Sequence, residues 1–172
     1  MEKWQSGDMA AFEALFNQYK GLVFKNAYLM TGSRDDAEDV LQEVFAAVWR
    51  FRHTFDPQKG RLATWLHRIT VNECLRRQRK RRPPAMDIEE IDVADKRLGP
   101  EETLMTAQDY ATLVSAMDGL DPRHRAVLVL RYFNDLSYEE IAQAVGVPLG
   151  TVKSRMNQAL KRLRGRLGGS ER

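Results

Sequence analysis

Residues 137–164, SYEEIAQAVGVPLGTVKSRMNQALKRLR, constrain the fold more tightly than any other stretch. They read as two short helices joined by a tight glycine turn, with base concentrated on the second. Ser137 and Glu140 have the Ser-x-x-Glu spacing of a capping box, in which each side chain meets the other residue's backbone amide. Ile141, Ala142 and Val145 follow as an apolar stripe, and Gly146 stands where the backbone must leave the helix. Val147, Pro148 and Gly150 interrupt the pattern, and helix resumes near Leu149. This is the pattern of a helix-turn-helix.

At about 100° per residue, Val152, Met156, Ala159 and Leu163 share one face of the second helix. Ser154, Asn157, Gln158 and Lys161 share the other, with Lys153, Arg155, Arg162 and Arg164 on the flanks. A helix that reads a DNA groove needs this division. Its apolar face anchors it, short polar side chains meet base edges, and flanking cations meet phosphates. An ordinary amphipathic hairpin shares some of these features. The capping box, Ala142, the Gly146 turn and the one-sided base together favour DNA.

The net charge is only +3, but base and acid are segregated. Six of the seven residues from Arg76 to Arg82 are Lys or Arg, the C-terminal helix is basic again, and residues 87–102 are acidic. Two cationic patches fit a polyanion touched in two places. Cys74 is the single cysteine, so no internal disulfide or cysteine-built metal site is expected, and His53, His67 and His124 lack a metal-ligand spacing. No apolar run approaches a membrane span, and MEKWQSGDMA lacks the core of a signal peptide. A cytoplasmic protein without cofactor, metal or membrane insertion is expected.

The rest of the chain reads as helices. From Met9 to Met30, Phe12, Leu15, Phe16, Tyr19, Val23, Ala27 and Met30 recur at helical intervals, and Thr31-Gly32-Ser33 stops the run. Ser33 caps the next helix, which carries Ala37, Val40, Leu41, Val44 and Val48 inward and runs to about Arg52. A turn, HTFDPQKGR, precedes a third helix from about Leu62 that turns Leu66 and Ile69 inward and ends in the basic run. Residues 83–100 read as an acidic, proline-bearing linker. Helix returns near Glu101, with Leu104, Tyr110, Leu113, Val114 and Met117 inward. Asp121-Pro122 starts another, carrying Val127, Leu128, Leu130 and Phe133. An all-α chain of two small domains is expected, 1–82 and 101–172.

Three segments in this order, DDAEDVLQEVFAAVW, FDPQKGRLATWLHRITVNECLRR and LVLRYFNDLSYEEIAQAVGVPLGTVKSR, resemble the extracytoplasmic-function sigma factors of the sigma-70 family. The resemblance covers nearly the whole chain, its halves matching regions two and four. It implies a promoter-specificity factor that binds core RNA polymerase and is not an enzyme. The largest-subunit clamp helices and the flap of the second-largest subunit are its implied docking sites, and an anti-sigma factor is a further implied partner.

The resemblance sets the second helix against the clamp helices through Asp36, Asp39, Gln42, Glu43, Phe45 and Trp49. Phe45 and Trp49 sit awkwardly on a solvated face, so a partner is expected to cover them, the alternative being a neighbouring helix of the bundle. The loop and third helix are implied to meet the melting -10 element. Phe51, Phe55, Trp65 and His67 are candidate base platforms, with Trp65 favoured for the core. Phe55, Lys59, Arg61, His67, Arg68, Asn72, Arg76 and Arg77 form the expected contact set. For the -35 element the set is Arg131, Lys153, Ser154, Arg155, Asn157, Gln158, Lys161 and Arg162. Many relatives carry an aromatic and an arginine in place of Asn157 and Gln158, and Asn and Gln pair best with adenine. A dimeric stand-alone regulator, and a sigma-factor mimic that captures a regulator, are the competing readings.

Overall fold

The computed structural model describes residues 3–81 and 107–167. Seven α-helices and two 3-10 turns occur among them, with no strand. The chain divides near Pro84 into two compact units. The expected linker, the helix start near Glu101, and the inward positions of Leu104 and Tyr110 lie outside what is described.

In the N-terminal unit, α1 (Met9–Thr31), α2 (Arg34–Arg50) and α3 (Leu62–Arg81) pack pairwise into a three-helix bundle. Local chemistry fixes the ends. Asp8 caps α1, accepting from the amides of Ala10 at 2.9 Å and Ala11 at 3.1 Å. Gly32, at φ 72°, closes it in the left-handed conformation, its amide 2.8 Å from the Tyr28 carbonyl. Ser33 then caps α2 through the Asp36 amide at 3.3 Å. The helix ends at Arg50, two residues before the expected end, because a short 3-10 turn, Arg52–Thr54, takes over.

Leu15, Val23, Ala27 and Met30 of α1 meet Ala37, Val40, Val44 and Val48 of α2 and Leu66, Val71 and Cys74 of α3 in the core. Leu41 and Ile69 are only half-buried. Burial above all, with Glu73 adjoining, pushes the Cys74 thiol up to about 12. The thiolate is the reactive species, so Cys74 is expected to resist a disulfide reagent at pH 8 in the folded chain and to react fully once denaturant is added. Rapid labelling under native conditions would contradict this burial.

The C-terminal unit comprises α4 (Ala107–Met117), α5 (Pro122–Tyr132), α6 (Tyr138–Val145) and α7 (Leu149–Leu167). Asp121 caps α5 through the Arg123 amide at 2.9 Å, with Pro122 in the first turn. The segment VLVL lies wholly within α5, where all residues from His124 to Leu130 are buried. The capping box forms in both directions: Ser137 N donates to Glu140 at 2.8 Å, and Glu140 N to Ser137 Oγ at 3.2 Å. Gly146 adopts φ 69°, a left-handed backbone that a Cβ would strain. Val152, Met156, Ala159 and Leu163 of α7 are all buried, as the wheel requires. No helix among the described residues is long and apolar enough to cross a membrane.

Candidate nucleic-acid interface

The exposed side of α7 follows from the burial of its apolar face. Lys153, Lys161 and Arg162 are exposed, while Ser154, Arg155, Asn157 and Gln158 are half-buried around them. Two of these side chains are held from α5. Arg162 Nη1 lies 3.4 Å from His124 Nδ1, and His124 is also hydrogen-bonded to Gln158. Burial first, against the opposing pull of Asp121 and with Arg162 and Arg155 nearby, pushes the His124 ring below its ordinary imidazole range. Near neutral pH the ring is therefore uncharged, and one of its nitrogens accepts from Arg162. Arg131 is turned partly inward, donating to the Leu136 carbonyl at 3.1 Å with its guanidinium 5.8 Å from the Tyr138 ring centre. It joins α5 to the start of α6. His124 was not legible as a contact because pairing between α5 and α7 is a tertiary event.

In the N-terminal unit the residues expected to meet one polyanion separate into distinct groups. Phe51, Lys59, Arg61, Arg68 and Asn72 share one concave surface. All five are exposed, and Phe51 keeps 49% of its surface in solvent with the Arg50 guanidinium 5.9 Å from its ring. Arg61 and Arg68 make no ion pair among the described residues. Phe55 is not a free platform. It is buried against Trp4 and Trp65, at ring-centre separations of 6.0 and 5.5 Å. His67 is buried as well, its Nδ1 2.9 Å from Asn26 Nδ2, because the third helix turns this position toward α1.

Arg76 and Arg77 are drawn to acids instead of standing free. Arg76 pairs with Glu73 at 2.6 Å and Glu43 at 3.4 Å, and Arg77 with Asp39 at 2.5 Å and Asp36 at 3.1 Å. Arg81 completes the group by bonding both oxygens of Asp36, at 2.5 and 2.7 Å.

Asp36, expected at the docking face, is a buried strut between α2 and α3. Arg81 above all, with Arg77, holds its carboxyl below the usual carboxylate range despite the opposing effect of burial. A depressed folded value means stability that is present above the unfolded value of about 3.9 and lost as pH falls through the folded one. Asp36→Asn should therefore lower the melting midpoint by several degrees at pH 7 and by progressively less below about pH 4. An undiminished difference in acid would contradict the ion-pair origin of the effect.

The expected apolar docking pair packs within the bundle, with Phe45 buried and Trp49 half-buried. Phe45 packs edge-on against Phe16 at 4.8 Å and Phe12 at 6.3 Å, and Trp49 against Phe12 at 5.0 Å with Arg52 stacked 4.4 Å from its ring centre. Their partner is α1. Asp39, Gln42, Glu43 and Ala46 form an exposed stripe along the middle of α2.

A family model for Sigma-70 region 2 matches residues 15–83, and one for Sigma-70 region 4 matches residues 116–165. The ECF RNA polymerase sigma factor SigE of Mycolicibacterium smegmatis is 37% identical over 167 residues, which are 92% of this chain and 63% of that protein. The chain thus spans less than two thirds of that relative's length. The ECF RNA polymerase sigma factor RpoE of Cereibacter sphaeroides is 35% identical over 164 residues, covering 91% of this chain and 86% of the relative. CnrH, solved in complex with the cytosolic domain of CnrY, superposes with a TM-score of 0.66 at 26% identity, covering 96% of this chain and 92% of that one.

Proposed function

The chain belongs to the sigma-70 family as an extracytoplasmic-function sigma factor, and on that footing we propose that it carries core RNA polymerase to two-part promoters and helps open them. Residues 1–82 serve core binding and the -10 element, 83–100 the tether, and 101–172 the -35 element. The observation that carries the reading is the exposed Phe51 beside Arg61, Arg68 and Asn72, in a chain whose α7 also turns Lys153, Lys161 and Arg162 to solvent. Opening a duplex without nucleotide hydrolysis requires that unpaired bases be held by stacking while cations grip the backbone.

Each part has a task. Asp39, Gln42 and Glu43 form a polar stripe suited to the clamp helices of the largest polymerase subunit, and the C-terminal unit docks on the flap of the second-largest. Phe51 receives an unpaired base, with Lys59, Arg61 and Arg68 on phosphates and Asn72 on a base edge. In the C-terminal unit, α7 enters the major groove, where Lys153, Ser154, Asn157 and Gln158 read bases and Arg155, Lys161 and Arg162 clamp phosphates. Arg131 joins them from the turn it braces. The protein acts in the cytoplasm and has no catalytic activity of its own. A regulatory protein that masks these surfaces in the resting cell is the remaining partner, and the complex of CnrH with the cytosolic domain of CnrY supports that kind of association.

Gln158→Ala should cost about 1 to 3 kcal/mol on the cognate -35 sequence and relax discrimination at one base pair. Arg162→Ala should instead weaken all sequences alike and reduce the salt slope by about 1. Titrating labelled duplexes at several salt concentrations separates the two. The opposite pattern would mean that the reading face of α7 lies toward Arg155 and Arg162.

A further inference from the structure

The 3-10 turn Lys3–Ser6 lies before residue 15, where the match to the region 2 model begins, yet its two central side chains are enclosed. Trp4 and Gln5 are each 4% exposed. A primary amide is costly to bury unless its polar atoms are met. Gln5 Nε2 donates to two carbonyls far along the chain, those of Arg52 at 3.0 Å and Phe55 at 2.8 Å.

Those carbonyls bracket the short turn Arg52–Thr54, and Phe51 stands immediately before it. The Thr54 amide and Thr54 Oγ1 each donate to the Phe51 carbonyl at 2.8 Å, so the backbone at Phe51 follows the turn. Trp4 adds a second attachment, with ring centres 6.0 Å from Phe55 and 6.1 Å from Trp65. The N-terminal turn runs straight into α1, closed by the Gly7 amide on the Trp4 carbonyl at 3.2 Å and the Asp8 amide on the Lys3 carbonyl at 3.3 Å, with Asp8 capping the helix. An apolar side chain of similar size would fill the space beneath the turn. It would not fix the direction of two carbonyls, which an amide donor does.

We infer that Gln5 and Trp4 are positioning residues for promoter opening: the N-terminal turn holds Arg52–Thr54 so that Phe51 and its cationic neighbours meet the unpaired strand in a fixed geometry. The inference rests on the reading of that surface as the -10 site. Displacing a reactive or binding group by a fraction of a side-chain length is enough to cost orders of magnitude in rate, which gives a distant amide leverage over a step that it does not touch.

The test uses holoenzyme reconstituted with full-length chains carrying Gln5→Met, a near-isostere without donors, Gln5→Glu, or Phe51→Ala. Core affinity, the rate of open-complex formation on duplex and on pre-melted promoter, and amide exchange in the loop are measured for each. Both Gln5 variants should bind core normally and open duplex about tenfold more slowly. They should recover most of that loss on the pre-melted template. Exchange at Thr54 and Lys59 should accelerate while the core of α1, α2 and α3 stays protected. A defective Phe51→Ala beside Gln5 variants that open duplex normally overturns this inference alone. Normal opening by Phe51→Ala overturns the reading of the loop and the inference with it. Gln5 variants that lose core affinity, melting midpoint and opening on both templates together have a structural role only, and that result also overturns it.

Discussion

Replacing Asp39 and Glu43 together with lysine is expected to abolish binding to core RNA polymerase while moving the melting midpoint by no more than a few degrees. Both carboxylates are 56% exposed, and their ion pairs cross from α2 to Arg77 and Arg76 on α3. Exposed pairs contribute little to folding because water and salt compete for both charges. Reversing two charges at a specific contact is different in scale, since it replaces attraction with repulsion at a desolvating interface. Asp36→Asn provides the contrast within the same helix. Its carboxylate is spent on Arg77 and Arg81, so the substitution should lower stability and leave core affinity intact. A double lysine variant that still forms holoenzyme with normal affinity would remove the α2 stripe from the docking surface.

The aromatic pair Phe51 and Phe55 gives the second large effect. Phe51→Ala should slow open-complex formation on duplex promoter by about tenfold to a hundredfold, the range of one base–aromatic stack. Melting of the protein should be unchanged, because half of the ring already faces solvent. On a promoter with a pre-melted -10 region the loss should shrink, because less unpairing has to be offset. Phe55→Ala should behave in the reverse way. It empties a site between Trp4 and Trp65 and should cost about 3 to 5 kcal/mol of stability, with equal impairment on both templates. A stable Phe55→Ala with a template-dependent defect would exchange the roles assigned to the two rings.

What the sequence disclosed and what it hid differ in range. Caps and turns are decided within a few residues, so the Ser137–Glu140 box, Gly32, Gly146 and the Asp121-Pro122 start are all found where the local pattern sets them. The buried face of α7 was legible for the same reason, since one helix dictates its own wheel. Phe45 and Trp49 were not, because whether they face solvent depends on Phe12 and Phe16 of α1, more than 25 residues earlier in the chain. His67 was misread in the same way, its partner being Asn26. The basic run from Arg76 looked like one cationic patch. Its inner members are neutralised by Asp36, Asp39 and Glu43, a pairing that appears only when α2 and α3 lie side by side. The exposed cations of the candidate -10 surface, Arg61 and Arg68, come from the loop and the first half of α3 instead.

Conferring promoter specificity on core RNA polymerase is the role proposed for this chain. Run-off transcription with purified core enzyme, with and without the chain, on a template bearing a cognate two-part promoter tests it most directly. The expected result is a single discrete transcript that requires the chain, disappears when either the -10 or the -35 element is scrambled, and is lost with the Asp39→Lys, Glu43→Lys double variant. A chain that binds the promoter by itself but neither associates with core enzyme nor yields that transcript would contradict it.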